Sequence, residues 1–100
     1  MIRILFICLG NICRSPMAEF LLKDMVKKRG IADSFYIASA ATSTYEIGNP
    51  VHRGTRAKLA QYGISMAGKT AVQLTKDDYT KYDYLIGMDS ANIRDIMRII

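Results

Sequence analysis

A thiol and a guanidinium with five residues between them, Cys8 and Arg14, stand in the segment Cys8-Leu9-Gly10-Asn11-Ile12-Cys13-Arg14-Ser15. The arginine can hold two oxygens of a phosphate in a planar, bidentate grip that a lysine cannot reproduce. Between them Gly10 and Asn11 tolerate positive φ, so successive backbone N–H groups can turn inward as an anion nest backed by a helix dipole. A thiol at the mouth of such a nest sits in positive potential, which favours the nucleophilic thiolate. The Ser15 hydroxyl is placed to donate to that sulfur as it forms and as it leaves. A nucleophile in line and donors on the equatorial oxygens are what phosphoryl transfer to sulfur needs. A cysteine that ends an apolar strand is, taken alone, a core residue. The spacing to Arg14, the Gly-Asn turn and the Ser-Pro pair favour chemistry, because packing requires none of them.

The elements that must position this segment follow from pattern. Ile2 to Cys8 reads as a buried strand, broken by Gly10-Asn11. Ser15 as N-cap and Pro16 at the first helical position open a helix whose apolar residues are Met17, Phe20, Leu21 and Met25, stopped by Gly30. Phe35 to Ala38 is a second strand, Ser39 to Pro50 a small-polar loop, and Arg53 to Tyr62 a helix closed by Gly63. Thr75 with Asp78 has the pattern of a capping box before a short helix. Tyr84 to Met88 is a third strand, and Asp89-Ser90 caps a last helix with the apolar face Ile93, Ile96, Met97 and Ile100. Strands separated by helices imply an α/β fold, an open parallel sheet of three strands with flanking helices. Ligands of such sheets bind beyond the carboxyl ends of the strands, which is where Cys8 to Ser15 lies.

Composition narrows the classes. The chain has 100 residues, 50% hydrophobic and 23% charged, an ordinary globular balance within one domain. Its longest apolar run, Ile4 to Leu9, is far short of the roughly 20 residues of a membrane span, and Met1-Ile2-Arg3, leading through that run into Gly10-Asn11, is not the pattern expected of a signal peptide. The expected location is the cytoplasm. Two cysteines and one histidine, His52, are too few for a disulfide scaffold or a closed zinc site, so neither metal nor cofactor is expected. The net charge of +5 raises nucleic-acid binding. The one dense cluster, Lys23, Lys27, Lys28 and Arg29, ends a helix, where cations complement the dipole, and no aromatic platform alternates with the basic residues. A solvated basic surface is the simpler reading, and a mild positive field suits an anionic substrate.

The run Ile4-Leu5-Phe6-Ile7-Cys8-Leu9-Gly10-Asn11-Ile12-Cys13-Arg14-Ser15-Pro16, followed by Ala18-Glu19, closely resembles the amino-terminal signature of low-molecular-weight protein tyrosine phosphatases. The similarity continues through Ser39-Ala40-Ala41-Thr42, Gly48-Asn49-Pro50-Val51-His52 and Met88-Asp89 with Asn92. The resemblance implies that Cys8 attacks phosphorus to give a cysteinyl-phosphate. Arg14 and the N–H groups of Leu9, Gly10, Asn11, Ile12, Cys13 and Arg14 would bind the phosphoryl oxygens. Asn11 would hold the strained loop with Ser39 bonded to it, and Ser15 would stabilise the sulfur anion. Tyr45 falls where the family has an aromatic wall beside the substrate ring; a half-buried packing tyrosine is the alternative. Asp89 is a supporting residue or simply a helix cap. His52 belongs to the hydrogen-bonded surroundings or is an exposed loop histidine. Cys13 matches a second loop cysteine able to pair with the nucleophile under oxidant, or it faces the core. The implied substrate is a phosphotyrosine-containing protein or a small aryl phosphate, with no nucleic-acid or membrane partner.

One departure bears on activity. The family's general acid is an aspartate in an Asp-Pro-aromatic loop near the carboxyl end, whereas the two prolines here stand in Ser15-Pro16 and Asn49-Pro50. A positioned acid contributes about 10² to 10⁴ in rate. The chain is therefore expected to bind phosphate-like oxyanions yet hydrolyse aryl phosphates poorly; Asp77, Asp78 and Asp83 are substitutes by composition only. Ile99-Ile100 ends an amphipathic helix without a cap, which reads as a truncation. The expectation is a single domain over 1–100, incomplete at its carboxyl end and lacking the family's fourth strand. The third strand then becomes an edge that invites self-association. Competing readings are a catalytically incomplete phosphate- or phosphopeptide-binding module and a thiol-dependent arsenate reductase, although the latter needs relay cysteines and none follows Cys13. A cysteine-phosphorylated sugar-transport component would have no need of Arg14.

Overall fold

A computed structural model describes residues 1–100. The order is β1 (Ile2–Cys8), α1 (Arg14–Lys28), a 3₁₀ turn (Ala32–Ser34), β2 (Phe35–Ala41), α2 (Arg53–Ala60), α3 (Asp78–Lys81), β3 (Tyr84–Gly87) and α4 (Ser90–Ile99). The three strands form one parallel sheet in the order β2-β1-β3. This is the α/β architecture expected, with β1 central and the segment after Cys8 emerging at the carboxyl ends of the strands.

Strand alternation divides the core. Leu5 and Ile7 face the same side as their register partners Ala38 and Ala40, and pack with Leu74, with Ile96 of α4 and with partly buried Ile99 and Ile100. Helix α1 lies against the opposite face, where its Glu19 meets Ser39 of β2. Its Met17 and Phe20 pack on a second cluster of Val51, Leu59, Ile64 and Met66. No helix is long and apolar enough to cross a membrane.

Several elements depart from expectation for identifiable reasons. Cys13, not Ser15, is the N-cap of α1, and it makes no side-chain cap bond. Ser15 is committed inside the loop, and Pro16 is accommodated in the first turn, where an N–H has no intrahelical partner. Gly30, at φ +71°, ends α1 as anticipated: Gly30 N–H donates to Lys27 and Ile31 N–H to Val26, the paired bonds of a Schellman turn. The buried stripe of α1 is Ser15, Pro16, Glu19 and Val26, so Leu21 and Met25 face outward. Strand β2 runs on through Ser39–Ala41, which had the composition of a loop; the small side chains let other chain segments approach, and Ala41 N–H donates to Val72 O while its carbonyl accepts from Leu74. Helix α2 stops at Ala60, short of Tyr62, and β3 at Gly87, short of Met88. Before α3 only the reciprocal half of the box forms, Thr75 N–H to Asp78 Oδ2 at 2.8 Å. On α4, Ile96 is buried, but Ile93 and Met97 are exposed, because Asn92 takes the inward position one turn before Ile96.

Candidate active site

The segment after β1 is tied down by its carbonyls. Cys8 O accepts from Thr42 N–H at 3.0 Å, and Ile12 O from His52 N–H at 2.7 Å. Leu9 O accepts from both the N–H and the hydroxyl of Ser43, at 3.0 and 2.8 Å. Cys13 O receives Met17 N–H within α1. The amides behave oppositely. Asn11 N–H approaches Cys8 Sγ at 3.3 Å, whereas those of Leu9, Gly10, Ile12 and Cys13 donate to no protein acceptor. The carbonyls of Cys8, Leu9, Ile12 and Cys13 are thus occupied while four amides meet no protein acceptor, and unspent amides at the start of a helix suit an anion.

Cys8 is buried, and its Sγ lies 3.0 Å from Ser15 Oγ. Ser15 Oγ in turn receives Asn11 Nδ2 at 2.8 Å. Asn11 is wholly buried and left-handed at φ +56°, a conformation asparagine tolerates better than most residues. Its Nδ2 also donates to Ser39 Oγ at 2.9 Å, and its Oδ1 accepts from Val72 N–H at 3.1 Å. Ser39 donates to Glu19 Oε1 at 2.5 Å. Lys23 and Lys69 face the Glu19 oxygens at 2.5 and 3.6 Å, and Lys69 also donates to Ser39 O at 3.1 Å. Burial holds Lys69 below the ordinary lysine range, with Glu19 opposing it.

Arg14 lies on the other side of the loop, half exposed, with Nη1 donating to Asp89 Oδ2 at 2.8 Å. That bond raises the guanidinium further above its ordinary value. Asp89 is held below the usual carboxylate range, first by Asn92 N–H and then by Arg14. It is the N-cap of α4 in a reciprocal box with Asn92, and the same side chain bonds the loop arginine. Gly87 permits the approach of α4, since a Cβ there would stand 2.9 Å from Ile93 Cδ1.

The remaining expected residues distribute as follows. Tyr45 is 81% exposed rather than half buried; with Leu9, Thr42 and Ser43 it borders an open cleft of about 310 Å³ completed by α4. His52 is exposed, and its Nδ1 caps α2 by accepting from Gly54 N–H at 3.1 Å. Its role in the loop is carried by its backbone. Cys13 is exposed, not in the core, and its Sγ accepts from Thr55 at 3.2 Å. Asp77, Asp78 and Asp83 stand apart from Cys8: Asp77 and Asp78 begin α3, and Asp83 Oδ2 accepts from Arg3 N–H at the opposite end of the sheet. No group of three metal-ligating side chains is placed to hold an ion. Sequence reasoning assigned no part to Glu19, Lys69, Val72, Ser43 or Thr55. Glu19 carried a signal, a charge on a stripe that is otherwise buried; the others are brought in by long-range contacts.

A family model described as low molecular weight phosphotyrosine protein phosphatase matches residues 3–100. The low molecular weight phosphotyrosine protein phosphatase of Gallus gallus is 46% identical over 95 residues, covering 95% of this chain and 60% of the relative. The low molecular weight protein-tyrosine-phosphatase YfkJ of Bacillus subtilis is 46% identical over 93 residues, 93% of this chain and 60% of the relative. The crystal structure of YfkJ superposes with a TM-score of 0.94 at 44% identity, covering 99% of this chain and 62% of that one. The chain thus spans about 60% of the length of these curated relatives.

Proposed function

Because the chain belongs to the low molecular weight phosphotyrosine protein phosphatase family, we propose that its loop transfers the phosphoryl group of an aryl or tyrosine phosphate to Cys8 and then to water. Sulfur attacks phosphorus as the aryl oxygen leaves with the P–O electron pair; water then cleaves the S–P bond and releases orthophosphate. The observation that carries this reading is the loop's division of labour: the carbonyls of Cys8, Leu9 and Ile12 are tied to neighbouring segments, the amides of Leu9, Gly10, Ile12 and Cys13 meet no protein acceptor, and Asn11 N–H and Ser15 Oγ both lie at Cys8 Sγ. Arg14 supplies the two-pronged cation, with Asp89 fixing its position until substrate arrives. Ser15 returns a hydrogen bond to the sulfur as the S–P bond breaks.

The leaving oxygen needs a proton, and no Asp-Pro pair occurs among these 100 residues. In this chain the first step therefore depends steeply on leaving-group acidity, and turnover is low. The test is a series of aryl phosphates of graded leaving-group acidity, run against Cys8→Ser. The expected result is measurable turnover with the most acidic phenols, a steep decline along the series, and none for the variant. A flat series with rates like those of the full-length relatives would refute the impairment, and activity in Cys8→Ser would refute the mechanism. The substrate in the cell is accordingly a phosphotyrosine-containing protein or a small aryl phosphate. Exposed Tyr84 and Ile86 on β3, at the edge of the sheet, support self-association of this chain; sedimentation equilibrium showing a monomer at high concentration would remove it.

A further inference from the structure

The hydrogen-bond chain beneath Cys8 has a direction, and one buried carboxylate limits its alternatives. Val72 N–H donates to Asn11 Oδ1 at 3.1 Å, so the amide nitrogen faces Ser15 and Ser39 and gives one hydrogen to each. Ser15 Oγ, having accepted, has its own proton left for Cys8 Sγ, its other partner. Were the Asn11 amide to turn over, its oxygen would draw the protons of Ser15 and Ser39 instead, and the sulfur would lose its hydroxyl donor. Two partners oppose that turn. Val72 N–H would be left facing an NH₂ group. Ser39 has no proton to offer, since its single hydrogen is given to Glu19 Oε1 at 2.5 Å.

Glu19 can fill this role only as an acceptor. Its side chain is 5% exposed, and two ammonium groups face it, Lys23 at Oε2 and Lys69 at Oε1. A buried charge with two cationic partners is matched, and a carboxylate accepts without donating. Resting on the phosphatase reading, we propose that Glu19 is a positioning residue for the sulfur chemistry: by taking the proton of Ser39 it locks the Asn11 amide, so that the Ser15 hydroxyl points at Cys8. Lys69 and Lys23 hold the carboxylate in that role, and Lys69 also clamps the Ser39 carbonyl. Neither lysine hydrogen-bonds the sulfur, whose partners are Ser15 and Asn11, although Lys69 and Cys8 interact through charge.

The experiment is a double-substitution cycle read by the pH profile of Cys8 alkylation with iodoacetamide, followed by peptide mapping that separates Cys8 from Cys13. Glu19→Met removes the acceptor and should slow Cys8 alkylation at neutral pH about three- to tenfold, moving the profile to higher pH. Glu19→Gln keeps an acceptor oxygen and should recover most of the rate. On a Ser39→Ala background Glu19→Met should add nothing, because its route to the sulfur is already cut. Independent, multiplying effects of the two substitutions, or an unchanged profile in folded Glu19→Met, would overturn the proposal. The unsubstituted chain gives a second readout by NMR: the Asn11 side-chain amide protons should exchange far more slowly than those of exposed Asn49. Equal exchange would likewise overturn it. A parent Cys8 that alkylates no faster than Cys13 and gains no protection from orthophosphate overturns the phosphatase reading and this proposal with it; the other adverse results overturn this proposal alone.

Discussion

The loop after β1 is held in two places by opposite physics. Beneath it, Asn11, Ser15 and Ser39 are buried, satisfied side chain to side chain, and backed by a carboxylate that α1 carries inward. Beside it, Arg14 and Asp89 meet in solvent, 50% and 43% exposed. Buried polar groups are costly to leave unpaired, whereas exposed ion pairs exchange readily with water and ions. The inner support is therefore suited to hold one shape, and the outer one to give up a partner when an oxyanion enters. Asn11 and its neighbours fix shape, and in the proposed reaction Arg14 grips the substrate.

Substitutions on the two sides should separate accordingly. The largest effect is expected from Asn11→Ala, which strands Val72 N–H and the two serines and places alanine at positive φ; the loss should be roughly 2–5 kcal/mol, read by chemical denaturation. Loop chemistry should vanish with it. A loss below that range would mean that the inner support is not what fixes the loop. Gly87→Ala comes next: its Cβ would meet the flexible tip of Ile93 at 2.9 Å and, more stiffly, Asn92 Cβ at 3.2 Å, and relieving the second contact by shifting α4 should cost about 1 kcal/mol. It should also loosen Asp89 from Arg14, so orthophosphate affinity and stability fall together, as calorimetry and melting would show.

Asp89→Asn should do less. Asparagine caps a helix as well as aspartate does, so the melting temperature should barely move, while orthophosphate affinity changes by a few-fold at most. A collapse in stability would show that the exposed pair is structural after all. Acid provides the smallest and most selective test. The Asp89 carboxyl lies below the ordinary carboxylate range, so its contribution is present above that range and is lost only as pH falls through the lower, folded value. Acidification from neutral to the ordinary carboxylate range should leave the Arg14 pair intact, and carbonyl-detected NMR of Asp89 would follow it. An Asp89 that titrates like a free carboxylate would contradict the pairing.

The legibility of these features in the sequence follows the range of their interactions. β1, the Gly30 stop and the Asp89 cap are local in cause and were readable from a few neighbouring residues. The turn that sets Cys8, Asn11 and Arg14 around one loop is likewise local, through Gly10 and the positive φ of Asn11. The pattern gives Ser15 two parts, helix cap and partner of the sulfur; the hydroxyl lies 3.0 Å from the sulfur, and the cap position passes to Cys13. Ser39–Ala41 looked like a loop because small residues have weak strand preference, yet their size is what lets Val72 and Leu74 approach β2. The outward turn of Leu21, Met25, Ile93 and Met97 follows from polar residues, Glu19 and Asn92, occupying the inward stripes. Val72 reaches Asn11 from 61 positions away and Lys69 reaches Ser39 from 30, through contacts that no local pattern encodes.

The central claim, that phosphorus is captured by the sulfur of Cys8, is tested most directly by mixing the chain with an aryl phosphate of acidic leaving group, quenching in acid within milliseconds, and mapping the modified peptide. One phosphoryl group on Cys8, absent from Cys8→Ser and from a sample pre-equilibrated with excess vanadate, is the result expected. Phosphate found on Cys13 or on a serine, or aryl phosphate bound and released with no label on the protein, would contradict it.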